Sequence, residues 1–173
     1  MISLLKAIIF NKRGFMKTRA QQLNDFAKEL HEQPTFIAGM HYVSEYLKKF
    51  IPADRASIFI YNAKERRLWS THADKIESIT IPSDMGLIGQ CIHTKDTVLE
   101  NEPYGNENFM ADVDMQTGYY TKNTLSTPIF DSKKNIIAVL QLLNKSGGFT
   151  KEDKNFIGYF AQKLSPYIEV NYP

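Results

Sequence analysis

The chain has 173 residues, of which 43% are hydrophobic, 12% aromatic and 23% charged; this suffices for the core of one domain and excludes the apolar-poor, highly charged composition of a disordered segment. Its 21 basic and 19 acidic residues leave a formal charge of +2, which gives no electrostatic drive toward nucleic acid or an anionic membrane. Cys91 is the single cysteine, so an internal disulfide is excluded and a reducing, cytoplasmic setting is expected.

The most apolar early stretch, Ile2 to Phe10, is interrupted by Lys6 and is about half the ~20 residues that a spanning helix needs. No basic region precedes it and no A-x-A-like cleavage site follows, so residues 1–15 read as an extension rather than a membrane span or a secretory signal. Residues 16–52 read as a helical segment in two pieces. Leu23, Phe26 and Leu30 recur at helical spacing, as do Phe36, Met40, Val43 and Leu47. Pro34 separates the pieces, Thr35 is placed to cap the second, and Pro52 ends it.

From Ala56 the period changes to two, with Ala56, Ile58 and Ile60 on one face of a strand and Ser57, Phe59 and Tyr61 on the other. The polar run Asn62 to Arg66 predicts a hairpin to a second strand at Leu68 to Ala73, and Ile79 and Ile81 mark a third. Gly86 to Ile92 has the i,i+4 spacing of a short buried helix, and Thr97 to Leu99 is a strand again. Asn101 to Asn123 is a long polar loop, the kind of connection that carries function. Leu125 to Phe130 and Ile136 to Leu143 are strands joined by the turn Asp131 to Asn135, and the second is apolar enough to be central. Thr150 and Asp153 form a capping box for a last helix whose stripe is Phe156, Ile157, Phe160, Ala161, Leu164 and Ile168. The order predicts an α+β domain around an antiparallel sheet of about six strands, with residues 53–170 as its core.

Few residues suit catalysis. Cys91 and His93 stand at i and i+2 of a helix, about 200° apart, and cannot form a nucleophile and base pair. His31, His41 and His72 have no mutual ligand spacing; His72 and Asp74 share a strand face but need further ligands. Gly86-x-x-Gly89 lacks the Lys-Ser/Thr of a phosphate loop, and Gly147-Gly148 lacks a G-x-G-x-x-G pattern. The long loop, by contrast, gathers Asp112, Asp114, Thr117, Tyr119, Tyr120 and Thr121 beside Phe109 and Met110, a set able to enclose a small polar, planar ligand against a sheet.

Several of these segments, in order and spacing, resemble one family: Ile79 to Pro82, Gly86 to Gly89, Phe109, Val113-Asp114-Met115-Gln116-Thr117-Gly118-Tyr119-Tyr120-Thr121-Lys122-Asn123, Thr127-Pro128-Ile129, and Leu140 to Lys145. They are similar to the GAF domains of cyclic nucleotide phosphodiesterases and related bacterial cyclases, over about residues 54–170. The dispersed Asn-Lys, Phe, Asp-Glu motif of that subfamily reads here Asn144-Lys145, Phe149 and Asp153, with Lys154 where glutamate is usual. The resemblance implies that Lys145 and Asp153 pair to close the structural frame of the site, and that Ser57, Asp74, Leu87, Ile88, Met110, Asp114, Thr117, Thr121 and Gln141 occupy ligand-contacting positions. Ala73 falls where a base-stacking aromatic often sits, and Gln141 where an acidic residue can occur.

What the resemblance implies is a single GAF domain whose terminal helices cover one sheet face and whose pocket loop covers the other. It further implies a non-catalytic sensory module for a small molecule such as a cyclic nucleotide, cyclic GMP or cyclic AMP, acting as a homodimer with a signalling output domain or an enzyme in trans. The alternative is a ligand-free GAF module for dimerisation or protein interaction. No metal, nucleic-acid or transmembrane partner is expected.

Overall fold

The computed structural model describes residues 18–71 and 78–172, so the N-terminal extension, His72, Ala73 and Asp74 lie outside the described residues. The chain opens with α1 (Arg19–His31). Thr18 caps it: its hydroxyl accepts the Gln21 N–H at 3.2 Å, while its own N–H donates to Gln21 Oε1 at 2.8 Å. α2 (Phe36–Lys48) follows Pro34, with Thr35 Oγ1 accepting the Ala38 N–H.

Among the described residues six antiparallel strands follow: β1 (Ala53–Asn62), β2 (Arg67–Thr71), β3 (Ser78–Pro82), β4 (Val98–Glu100), β5 (Thr124–Phe130) and β6 (Ile136–Lys145). Their order across the sheet is β3-β2-β1-β6-β5-β4, which makes β6 an interior strand, as its apolar run predicts. Tight turns set the register. Asn62 Oδ1 accepts the N–H groups of Lys64 and Glu65 in the β1–β2 hairpin, and Asp131 Oδ1 accepts those of Lys133 and Asn135 in the β5–β6 hairpin.

The two sheet faces have different covers. Ala56, Ile58 and Ile60 of β1, Leu125 and Ile129 of β5, and Ala138, Leu140 and Leu142 of β6 belong to the main core. α1, α2 and α5 (Lys151–Asn171) lie over that face. α5 carries the capping box expected of Thr150 and Asp153 and buries Ile157, Phe160, Ala161, Leu164, Tyr167 and Ile168. Pro166 interrupts its ladder without breaking it, and the neighbouring Ser165 hydroxyl donates to the Phe130 carbonyl. The end of the helix is tied down twice: the Ser132 N–H and hydroxyl donate to the Glu169 carboxylate, and Trp69 Nε1 donates to the Tyr172 hydroxyl at 2.9 Å.

On the second face α3 (Gly86–Thr94) packs Ile88 and Cys91 against Phe59, Leu68 and Val139. Its entry requires glycine, because a Cβ on Gly89 would stand 2.5 Å from the Asp84 carbonyl carbon. Gly89→Ala is therefore expected to lower stability by about 1–3 kcal/mol in urea unfolding, as backbone must shift to make room. An unchanged midpoint would show that the Asp84 turn yields freely.

One element escapes the sequence pattern. The loop between β4 and β5 is not continuous coil but holds a 3₁₀ turn (Pro103–Gly105) and a short helix, α4 (Ala111–Thr117). α4 has no apolar stripe; Val113 and Met115 are exposed, and its only buried residue is Asp114.

Candidate functional site

Strand alternation puts a graded surface on the second face. Phe59 and Val139 make an apolar half beneath α3. Towards the other strand ends, the register aligns Ser57, Gln141, Ser126 and Val98 in one cross-strand row and Arg55, Leu143, Thr124 and Glu100 in the next. Ser126 and Thr124 are fully buried, and Gln141 Nε2 donates to Ser126 Oγ at 3.2 Å. A row of small hydroxyls and an amide inside a sheet is a weak core but a ready set of hydrogen-bonding groups.

The loop meets this end of the sheet at β1. Tyr119 is half-buried with its ring 3.8 Å from the Arg55 guanidinium carbon, a cation–π contact that rests the loop on β1. Asp114 accepts three hydrogen bonds, from the Thr121 N–H at 2.6 Å, the Thr121 hydroxyl at 2.9 Å and the Tyr104 hydroxyl at 2.8 Å. Asp114 and Thr121 thus hold each other, and the Thr117 hydroxyl is exposed and donates to the Val113 carbonyl at 2.8 Å. Met110 approaches the other wall: a Cβ on Gly86 would meet its side chain at 3.7 Å. Leu87 and Ile88, both buried, sit in the first turn of α3, whose N-cap Met85 offers no side-chain bond to the leading N–H groups. Ser57 and Gln141 are cross-strand partners, Leu87 and Ile88 open α3 next to the Gly86 that Met110 approaches, and Asp114 and Thr121 hold each other within the loop; Thr117 is exposed, and Asp74 lies outside the described residues.

The Asn144-Lys145, Phe149, Asp153 set frames this region. Asn144 adopts a left-handed backbone, φ 60°, which turns its side chain toward the loop. Its Oδ1 accepts the Lys122 N–H at 2.7 Å and its Nδ2 donates to the Tyr120 carbonyl at 2.8 Å. Asn123 and Lys145 exchange two further bonds. At the opposite end of the loop, Asn101 bonds both the N–H and the carbonyl of Phe149, itself buried in the main core. Lys145 is ion-paired with Asp153, and Lys154 reaches Asp96 at 3.5 Å.

Burial pushes the Asp153 carboxyl up, but the bonds from Lys145, the Thr150 N–H and the Thr150 hydroxyl outweigh it and hold the group below its ordinary value. A carboxyl lowered on folding contributes stability that is present above its unfolded value, about 3.9, and is lost as pH falls through the folded one. Urea midpoints of the wild type are expected to fall across that acidic window, and Asp153→Asn to remove its share of the fall. Parallel pH profiles for both proteins would sink the assignment.

Three buried side-chain atoms have no hydrogen-bond partner among the described residues: Gln90 Oε1 on α3, the Tyr119 hydroxyl in the loop and Thr124 Oγ1 on β5. Sequence reading placed Tyr119 in the loop cluster and missed Gln90 and Thr124, which only register and burial reveal. Cys91 is fully buried; burial, reinforced by Asp96, pushes its thiol up to about 12, so it is protonated at neutral pH. His93 is exposed beyond it. Among the described residues no three His, Cys, Asp or Glu side chains converge as a metal site, and no helix is long and apolar enough to cross a membrane.

Residues 40–168 match the family model of the GAF domain. The chain is 30% identical over 152 residues to the rod cGMP-specific 3',5'-cyclic phosphodiesterase subunit alpha of Homo sapiens, covering 78% of this chain and 17% of that protein. It is 28% identical to a probable 3',5'-cyclic phosphodiesterase of Caenorhabditis elegans, pde-5, covering 80% of this chain and 21% of the relative. The chain thus spans about a fifth or less of the length of these relatives. Among solved structures it is similar to the GAF domain of a phosphoenolpyruvate-protein phosphotransferase from Coxiella burnetii, with TM-score 0.74 and 17% identity over 86% of this chain and 90% of that one. A free methionine-R-sulfoxide reductase from Neisseria meningitidis shares the fold at TM-score 0.69 and 16% identity, over 88% of this chain and 89% of that one.

Proposed function

Because the chain belongs to the GAF domain family, we propose that it is a non-catalytic sensory module that encloses a small polar molecule between the polar half of its second sheet face, the start of α3 and the loop 101–123. The observation that carries this reading is buried polarity on the second face: Ser126, in the row of Gln141 and Ser57, and Thr124, in the next row, are spent on a surface that an ordinary core would make apolar. The uncapped first turn of α3 supplies N–H groups and a positive dipole end suited to a phosphate, and Leu87 and Ile88 bring them to the apolar border of the pocket. Similarity to cyclic-GMP-specific phosphodiesterase subunits makes cyclic GMP the first probe and cyclic AMP the second. The buried, protonated Cys91 supports a binding role over nucleophilic chemistry.

Signal transfer follows from the frame. A ligand bonded to the loop favours the conformation in which Asn144 and Asn101 hold that loop to the β6–α5 connection, and this bias passes to α5. The reading is tested by a thermal-shift panel of cyclic GMP, cyclic AMP and cyclic dinucleotides, with denaturing mass spectrometry for a retained molecule. A ligand at 100 times its Kd stabilises by about 2.7 kcal/mol, which is roughly 5–10 °C for a domain of this size. A selective shift that Gln141→Leu abolishes is the expected result. No shift with any of them, and no retained molecule, would replace this reading with the ligand-free dimerisation module.

A further inference from the structure

We infer that Gln90, Tyr119 and Thr124 contact the ligand directly and that the ligand presents an N–H donor to Gln90. This rests on the reading of the second face as a ligand site. Among the described residues other buried polar groups are paired: Asp114 has three donors, Thr127 pairs with Thr97 at 2.7 Å, and Asn123 is bonded to Lys145. The buried side-chain atoms left without partners among the described residues are Gln90 Oε1, the Tyr119 hydroxyl and Thr124 Oγ1. They come from three different elements, the helix α3, the loop 101–123 and the strand β5. Thr124, 1% exposed, stands on the second face by strand alternation; Tyr119 is pressed to that face by Arg55; and Gln90 lies on the helix packed over β4, β5 and β6. A buried polar atom with no partner has given up water for nothing, so a group that completes it is favoured there over bulk solvent.

The three atoms also specify chemistry. Hydroxyls of Tyr119 and Thr124 either donate or accept, but the carboxamide oxygen of Gln90 only accepts. In the amide orientation of this structure, phosphate and carboxylate, which offer acceptors alone, would face Gln90 Oε1 with like partial charge. The matching ligand edge carries an N–H beside acceptor atoms, as the edge of an amino-bearing purine does. Gln90 then acts as a specificity-determining residue, because a site built around a hydrogen bond rejects the analogue that cannot make it.

Isothermal titration with cyclic AMP, cyclic GMP and purine riboside 3',5'-cyclic monophosphate, whose base has no N–H, tests this. The wild type is expected to bind one of the first two at least tenfold more tightly than the third, and Gln90→Leu to erase that preference. Thr124→Val and Tyr119→Phe are expected to weaken binding several-fold while raising the melting temperature of the ligand-free protein, since each deletes an unpartnered buried hydroxyl. Binding that is intact in the wild type and unchanged in all three variants would overturn the assignment and leave the ligand site standing. A fall in melting temperature for ligand-free Thr124→Val would reveal a partner inside the protein and overturn it as well. No binding of any nucleotide by the wild type, with no retained molecule, would overturn both readings.

Discussion

Phe160→Ala is expected to lower the unfolding free energy by about 3–5 kcal/mol, the range for removing a large aromatic side chain from a packed core. Phe160 is fully buried on α5 with its ring centroid 4.8 Å from Phe26 of α1, 6.4 Å from Tyr46 of α2 and 6.2 Å from Phe156. It is the point where all three covering helices meet. Truncation there leaves a cavity that the three helices can close only by tilting, which would disturb the sheet contacts of Leu164 and Ile168 as well. Urea unfolding followed by circular dichroism measures the effect. A loss below about 1 kcal/mol would mean that α5 is held by its capping box and end contacts rather than by this cluster.

Asn144→Ala is expected to cost about 2–4 kcal/mol, and Asn144→Gly clearly less. Two losses combine in the alanine variant. The backbone at φ 60° is strained for a residue with a Cβ and no local polar group, and the bonds to Lys122 N–H and the Tyr120 carbonyl disappear. Glycine retains the backbone freedom and loses only the bonds. Both variants are expected to expose the loop 101–123 to limited proteolysis ahead of the sheet. Equal stability of the two variants would show that the left-handed turn carries no strain.

The legible parts of this fold are those set by local rules. Thr35 and Thr150 cap where hydroxyl and spacing permit, and β1 alternates because its two faces meet different covers. α4 was illegible because nothing apolar on it repeats; Asp114, reached from Thr121 and Tyr104, holds it in place. The same contact shows why composition alone misjudges a site. Asp114 and Thr121 look like free ligand groups in sequence, yet each answers the other in space. Gln90 and Thr124 carry no motif, and what sets them apart is the absence of a partner, a property of the packed molecule. The framing residues are intermediate: the family resemblance implies the pairing of Lys145 with Asp153, whereas the reach of Asn144 to Lys122 and Tyr120 depends on a positive φ.

The two asparagine clamps give the loop a particular kind of freedom. Asn101 fixes its first end to Phe149 and Asn144 fixes its last to the neighbouring end of β6, so both ends are fastened to one short stretch of chain. The segment is therefore a closed ring rather than a flap with a free edge, and most of the entropy of bringing its ends together is already lost when the domain folds. A guest that settles beneath it need only restrict motions within that ring, with Gly118 in its left-handed conformation as one pivot, and can be held firmly by few new contacts.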